Sequence, residues 1–128
     1  MAIPLFVYGT LKGTGSRTRH RLLREARFVD SASMSGRLYD LGRYPGVYRD
    51  SMKGRVFGQL YEIPQDAAPR ALRSLDKYEG PEFARRRVYV TLRDGSRRVA
   101  WAYVLRRRPV KAARQLTSGR YDRKRGAA

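Results

Sequence analysis

The strongest periodic signal in the chain lies toward its C-terminal end, where apolar and polar side chains alternate. The apolar positions form two runs, the first at Val88, Val90 and Leu92 and the second at Val99, Trp101, Tyr103 and Leu105. A period of two is that of a β-strand with one buried face. Asp94-Gly95 lies between the runs, and this dipeptide is typical of a tight turn. The pattern therefore predicts an antiparallel β-hairpin.

Three further segments have the character of strands: residues 4–8, 26–40 and 55–63. The first is an apolar run that ends at Gly9, and the last ends at Pro64. Within residues 26–40, the side chains expected to face inward are Phe28, Met34, Leu38 and Tyr39. Glycine, serine, proline and arginine punctuate the sequence between these segments, and we therefore predict loops at residues 12–19 and 42–46.

Residues 66–79 have the spacing of an amphipathic helix. Apolar groups recur at intervals of four and three, at Ala68, Leu72 and Leu75. Gly80-Pro81 then stops the helix, because glycine favours a helix end and proline cannot continue one. A weaker pattern predicts a short second helix at residues 19–25.

These elements predict an α+β fold with about six strands, one main helix and a short second helix. So many short strands in 128 residues favour a closed or nearly closed barrel. We place one domain at residues 1–105. Nine of the last 23 residues are Lys or Arg and only Asp122 is acidic, so residues 106–128 are expected to form a basic, partly flexible tail. Tyr121 either packs this tail against the barrel or moves with it.

Composition adds an unusual charge. The chain has 29 Lys and Arg against 11 Asp and Glu, a net charge of +18. Such a surface attracts polyanions nonspecifically, and a basic, non-catalytic module that binds nucleic acid or another polyanion is one interpretation. The other is that the arginines lie on solvated faces. No nucleic-acid-binding motif is present, and aromatic residues do not alternate with the basic residues of the tail.

Other compositional features narrow the chemistry and the location. The absence of cysteine excludes disulfides and thiolate catalysis, and the single histidine, His20, argues against a zinc site. No segment has the roughly 20 apolar residues that a membrane span needs. We therefore expect a soluble, cytoplasmic protein that does not contact a membrane.

Two segments contain candidate functional residues. The first is Tyr8-Gly9-Thr10-Leu11, directly after the first predicted strand. A glycine in a sharp turn allows consecutive backbone N–H groups to converge, and such a concavity binds carboxylates or oxyanions. The alternative is that Gly9 only turns the chain.

The second candidate is Glu79, which follows Leu72 by seven positions and Leu75 by four. It therefore lies on the same helical stripe as these core residues, at the C-terminal end. Burial and the negative end of the helix dipole both raise the proton affinity of a carboxylate, which suits general acid–base work near neutral pH. The alternative is that the helix ends by Tyr78 and Glu79 faces water. Glu82 is then the fallback residue.

The two candidates occur together in a known pattern. Val-Tyr-Gly-Thr-Leu-Lys at 7–12 and Leu-Asp-Lys-Tyr-Glu-Gly at 75–80 resemble the two signature motifs of the gamma-glutamylcyclotransferase-like family, which includes YtfP-like proteins and gamma-glutamylamine cyclotransferases. Further segments, at residues 19–23, 40–46 and 100–104, are similar to other parts of the family pattern. The resemblance extends over nearly the whole chain to about residue 105.

The resemblance implies a small mixed β-barrel with the active site at one mouth. By its motifs, Glu79 corresponds to the family's catalytic glutamate, and the glutamyl head group is held by the loop of Tyr8, Gly9, Thr10 and Leu11. The implied reaction converts a gamma-glutamyl amine or gamma-glutamyl amino acid to 5-oxoproline and a free amine. The substrate is a small molecule, and no metal or organic cofactor is needed.

The chain departs from the family pattern at two places. Arg19 precedes His20 where the family has asparagine, and Phe83 stands where many relatives have tyrosine. These departures leave the released amine open, and a related acyl-amine substrate is a third interpretation. Three more residues are candidates for the pocket lining, although each is also explained by packing or by an ordinary turn: Tyr44, Gly46 and Tyr103.

Overall fold

The computed structural model describes residues 2–9, 23–49, 53–110 and 113–121. Within these residues the chain forms eight strands and one helix. In chain order they are β1 (Ile3–Val7), β2 (Arg27–Ser35), β3 (Arg37–Asp40), β4 (Pro45–Tyr48), β5 (Arg55–Ile63), α1 (Ala68–Glu79), β6 (Phe83–Leu92), β7 (Arg97–Leu105) and β8 (Arg114–Gln115). None of the described residues belongs to a helix that is both long and apolar enough to cross a membrane.

Five strands close into a barrel in the order β1-β5-β2-β6-β7. The barrel closes where β1 runs parallel to β7, with Leu5 opposite Trp101. The other neighbouring strands are antiparallel. The predicted small mixed barrel in an α+β fold is therefore confirmed, as is the hairpin, whose strands are β6 and β7.

The remaining three strands form a second sheet in the order β4-β3-β8. This sheet explains why eight strands occur where about six were predicted. The predicted strand at 26–40 divides at Gly36, whose φ of +149° favours glycine, and continues in a different sheet. The loop predicted at 42–46 is corrected from Pro45 onward, because Pro45 pairs with Asp40 and begins β4.

The segment after residue 105 contributes to this second sheet. β8 pairs with β3, and the Leu116 N–H donates to the Leu38 carbonyl oxygen at 2.7 Å. Tyr121 is buried in the same core as Leu38. Tyr121 therefore packs against the barrel, which is the first of the two alternatives considered for it. Asp122 and the residues after it lie outside the described residues, as do residues 19–22 of the predicted second helix.

Two apolar clusters stabilise the domain. One fills the barrel and includes Phe6, Met34 and Val90, and the other lies between the barrel and α1. Leu38 also faces inward as predicted, and Tyr39 is half-buried. Phe28 does not face inward, because a bulge between Phe28 and Asp30 shifts the register of β2. Its side chain is 42% exposed and touches the edge of the Tyr61 ring.

The helix α1 places its C-terminal end at one mouth of the barrel. Proline in its first turn favours helix initiation, and Gly80, with a φ of +86°, ends it. Leu75 is fully buried against the barrel and fixes the rotation of the helix. Because Glu79 follows Leu75 by four residues, its side chain projects from the barrel-facing side.

A close approach between β1 and β5 brings the end of β1 to the same mouth. We expect Gly58→Ala to lower the free energy of unfolding by about 3 kcal/mol, because the added methyl group overpacks the contact between β1 and β5 and forces the backbone to shift. A Cβ at this position would lie 2.2 Å from the Val7 carbonyl oxygen, which is backbone and cannot rotate away. Urea denaturation provides the measurement.

The matched control is Gly46→Ala in β4, where a Cβ would lie 2.8 Å from the Leu105 side chain. This side chain can move, so the loss of stability should be smaller. An equal or smaller loss at Gly58 would contradict the role of this glycine in setting the distance between β1 and β5.

Candidate active site

A pocket of about 480 Å³ lies at the mouth of the barrel where β1 and α1 end. Three segments line it, at residues 6–9, 43–45 and 78–83, together with Tyr103 of β7. The two segments singled out in the sequence therefore lie on one cavity, with Glu79 and Gly9 both in its lining. This juxtaposition is what the fold adds to the sequence pattern.

Glu79 is the last residue of α1 and is half-buried in the pocket wall. Burial raises the pKa of its carboxyl group from 4.5 to about 7. Among the described residues no cation forms an ion pair with it. The group is therefore divided between its protonated and ionised forms near neutral pH, which allows it both to accept and to donate a proton.

Gly9 lets the chain turn closely against the second sheet. A Cβ at this position would lie 2.7 Å from Cγ of Pro45, so a larger residue would push β4 away from the pocket. Thr10 and Leu11 lie outside the described residues. The convergence of backbone N–H groups in this loop therefore stays a prediction.

Tyr8 lines the pocket with its ring, but its hydroxyl is engaged in the framework. The hydroxyl donates to the Tyr103 carbonyl oxygen at 2.7 Å and accepts from the Val47 N–H at 3.1 Å. Burial is the main cause that raises the pKa of this hydroxyl far above its ordinary value. Tyr8 thus joins the end of β1 to β4 and β7, and it stays a neutral donor.

Tyr103 also lines the pocket, and its hydroxyl donates to Asp76 Oδ1 at 2.6 Å. Arg85 donates to the same carboxylate, from Nε to Oδ1 at 2.9 Å and from Nη2 to Oδ2 at 3.2 Å. Desolvation acts to raise the pKa of Asp76, but the hydrogen bonds from Arg85 and Tyr103 outweigh it and hold the pKa below its ordinary value. This network supports the wall of the pocket.

Sequence reasoning missed Asp76 and Arg85. Asp76 precedes Glu79 by three residues and therefore lies next to it on the helix surface, but it is not on the stripe of core leucines. No spacing rule connects Asp76 with Arg85, since the contact depends on how β6 packs beside α1.

A second carboxylate, Glu82, lies in the pocket lining and is exposed. The Tyr44 hydroxyl donates to Glu82 Oε1, and this hydrogen bond is the main cause that raises the pKa of Tyr44. Tyr44 thus lies in the lining of the same pocket. Gly46 packs against Leu105, and the neighbouring Pro45 lines the pocket.

The described residues contain no group of three or more His, Cys, Asp or Glu side chains arranged to hold a metal ion. The polar groups of the pocket are instead one half-buried carboxylate, one exposed carboxylate, tyrosine hydroxyls and the Arg43 side chain at the edge. Such a set can bind a small polar molecule and transfer protons to and from it.

Comparison with known proteins assigns the chain to a family. The family model described as gamma-glutamyl cyclotransferase, AIG2-like, matches residues 5–123. No sequence among curated proteins matches significantly. The matched residues include both pocket segments and extend past residue 105.

Solved structures with this architecture come from several organisms. The chain is similar to ytfP from Escherichia coli, with 30% identity, a TM-score of 0.61 and coverage of 95% of this chain and 99% of ytfP. It is similar to YkqA from Bacillus subtilis, with 25% identity and a TM-score of 0.71; the alignment covers 94% of this chain but only 40% of YkqA. An AIG2-like protein (GGACT) from Mus musculus shares the fold, with 21% identity, a TM-score of 0.72 and coverage of 94% and 88%.

The pKa of Glu79 predicts how stability depends on pH. Because the folded-state pKa of about 7 lies above the ordinary 4.5, the folded state binds the proton more tightly than the unfolded state. The stability from this group is complete below the ordinary value and is lost as pH rises through about 7. Across this pH window we expect the free energy of unfolding of wild type to fall by at most about 3 kcal/mol. Glu79→Gln should not show this fall.

Urea denaturation of wild type and Glu79→Gln at a series of pH values provides the measurement. Glu25→Gln, which removes an exposed carboxylate, is the control and should leave the pH dependence almost unchanged. Parallel curves for wild type and Glu79→Gln would show that the Glu79 carboxylate is not desolvated.

Proposed function

The chain belongs to the gamma-glutamyl cyclotransferase, AIG2-like family, and on that premise we propose that it converts a gamma-glutamyl amine or gamma-glutamyl amino acid to 5-oxoproline and the free amine. The observation that carries this proposal is the position of Glu79, half-buried in a pocket whose other wall contains the Gly9 turn. Glu79 is the general acid–base residue. The segment Tyr8-Gly9-Thr10-Leu11 is assigned to binding of the glutamyl head group.

The reaction is an intramolecular acyl transfer. The α-amine of the glutamyl group attacks its own γ-carbonyl carbon, the new C–N bond closes a five-membered ring, and the bond to the leaving amine breaks. Nucleophile and electrophile belong to one molecule, and well-aligned reactions of this kind gain about 7–11 kcal/mol from proximity. The enzyme therefore has to fix the reactive rotamer and to move protons.

Proton transfer is the task assigned to Glu79. Its ionised carboxylate accepts a proton from the α-ammonium group, and the resulting carboxylic acid donates that proton to the departing nitrogen. The lactam nitrogen loses a second proton and the released amine gains one, so the overall reaction consumes no acid or base. A carboxyl group with a pKa of about 7 suits both steps, since neither protonation state is strongly disfavoured.

The surrounding residues position the substrate and keep its charges oriented. Backbone N–H groups of the Gly9 loop are suited to the glutamyl carboxylate or to the oxyanion that develops on the γ-carbonyl. Tyr103 and Tyr8 supply a rigid wall, because their hydroxyls are bonded to Asp76 and to the Tyr103 carbonyl oxygen, respectively. This rigidity holds the cavity shape while the substrate rotates into the cyclising conformation.

Replacing Glu79 tests the assignment directly. We expect Glu79→Gln to lower kcat by at least about 10²-fold with little change in KM, because an amide keeps the shape but transfers no proton. The assay is release of 5-oxoproline from a panel of gamma-glutamyl amines, followed by mass spectrometry.

Glu82→Gln is the matched control, since it removes another carboxylate from the same pocket. It should change kcat only a few-fold. If Glu82→Gln abolishes turnover and Glu79→Gln retains it, the two roles are reversed. If wild type releases no 5-oxoproline from any member of the panel, the proposed reaction is wrong.

The pH dependence of the rate gives a separate prediction. We expect kcat/KM to rise with pH and to level off with an apparent pKa of about 7, since the free enzyme must carry ionised Glu79 to accept the first proton. Initial rates at low substrate concentration across the neutral range provide this profile. If kcat/KM were constant through the neutral range, catalysis would not depend on the ionisation of Glu79.

A further inference from the structure

A second, larger pocket of about 870 Å³ adjoins the first. Pro81 and Glu82 line both, so the two cavities meet at the turn between α1 and β6. Four arginines contribute to the second pocket: Arg106, Arg107, Arg108 and Arg114. Only two carboxylates of the described residues, Asp40 and Glu82, line it. The second pocket is therefore positively charged.

Arg106 is held in place beside the shared turn. Its Nε donates to the Pro81 and Phe83 carbonyl oxygens, each at 3.1 Å, and its backbone N–H donates to the Glu82 carbonyl oxygen at 3.0 Å. Within residues 2–9, 23–49, 53–110 and 113–121, no hydrogen bond is made by the two terminal NH₂ groups of this guanidinium. Because their direction is already fixed, little conformational entropy is lost when an anion binds to them.

The two carboxylates of this pocket leave a net positive charge on its lining, because they are outnumbered by four arginines. Arg114 approaches Asp40 only at 3.5 Å, and the Arg114 side chain is 75% exposed. Glu82 accepts a hydrogen bond from Tyr44 on the side of the first pocket. Among the residues that the structure describes, Arg107 pairs with no carboxylate.

We propose that the second pocket is a subsite for the leaving amine and that this amine carries a negative charge, as a carboxylate or a phosphate. The inference rests on the proposed function. With the glutamyl group in the first pocket beside Glu79, the leaving group extends past Pro81 and Glu82 and enters the arginine-lined cavity. Guanidinium groups bind both kinds of anion through paired N–H donors, whereas a cationic amine is repelled.

The charge of the leaving amine is the variable to test. Four gamma-glutamyl substrates cover it, with glutamate, O-phosphoethanolamine, ethylamine and 1,4-diaminobutane as the leaving amines. We expect kcat/KM to be about tenfold or more higher for the anionic members than for ethylamine and lowest for diaminobutane, mainly through KM. The preference should weaken as salt increases, because salt screens the arginines. The glutamate and phosphoethanolamine arms distinguish the two anions.

Arg107→Gln and Arg106→Gln test the residues. Each variant should reduce the preference for anionic over neutral leaving amines several-fold. Arg86→Gln is the matched control, since Arg86 is an exposed arginine of β6 that lines neither pocket. It removes the same charge and should keep the preference. If all three variants lost the preference for anionic leaving amines equally, the net charge of the protein would explain that preference. The subsite proposal would then be wrong.

Direct binding separates this inference from the proposed reaction. Calorimetric titration with free glutamate, O-phosphoethanolamine and ethylamine requires no turnover. Binding of either anion that Arg107→Gln weakens and Arg86→Gln does not supports the subsite, even if no substrate is cyclised. No binding of either anion overturns the subsite, as does turnover that is insensitive to the charge of the leaving amine.

Discussion

The desolvation of one carboxylate at the end of α1 is the constraint on which the site depends. Leu75 fixes the rotation of the helix against the barrel, Gly80 ends it, and Glu79 consequently projects into the pocket rather than into bulk water. A shift of the pKa from 4.5 to about 7 corresponds to about 3 kcal/mol of preference for the neutral form. The fold has to supply that energy elsewhere, and the core contacts of α1 do so.

The hydrogen-bond network around Tyr103 protects this arrangement. The Arg85 guanidinium of β6 donates to Asp76, which also accepts from the Tyr103 hydroxyl, so this cation is held by a carboxylate other than Glu79. An ion pair between an arginine and Glu79 would lower the pKa of Glu79 and remove its capacity to donate a proton near neutral pH. Asp76 does not line the pocket of Glu79, but it supports the site by fixing both the pocket wall and a cation.

The sequence predicted those features that depend on local periodicity. The hairpin of β6 and β7 follows from alternation around Asp94-Gly95, and the position of Glu79 follows from its spacing to Leu75. The missed features depend on contacts between distant segments. β8 is a strand only because β3 offers it an edge. The Asp76–Arg85 pair likewise requires α1 and β6 to pack together, and a bulge that no composition rule indicates turns Phe28 outward.

The remaining question is why a chain with a net charge of +18 holds a carboxyl group whose pKa is raised rather than lowered. Five arginines of the described residues lie over aromatic rings, among them Arg87 over Trp101 at 5.1 Å and Arg97 over Tyr89 at 4.7 Å. Two unit charges 10 Å apart in water interact by only about 0.4 kcal/mol, and salt screens even this. The summed attraction of several distant arginines is therefore smaller than the cost of burying the Glu79 carboxylate. Local burial therefore wins over the net charge, and the two properties occur in one protein because the arginines act mainly at the surface.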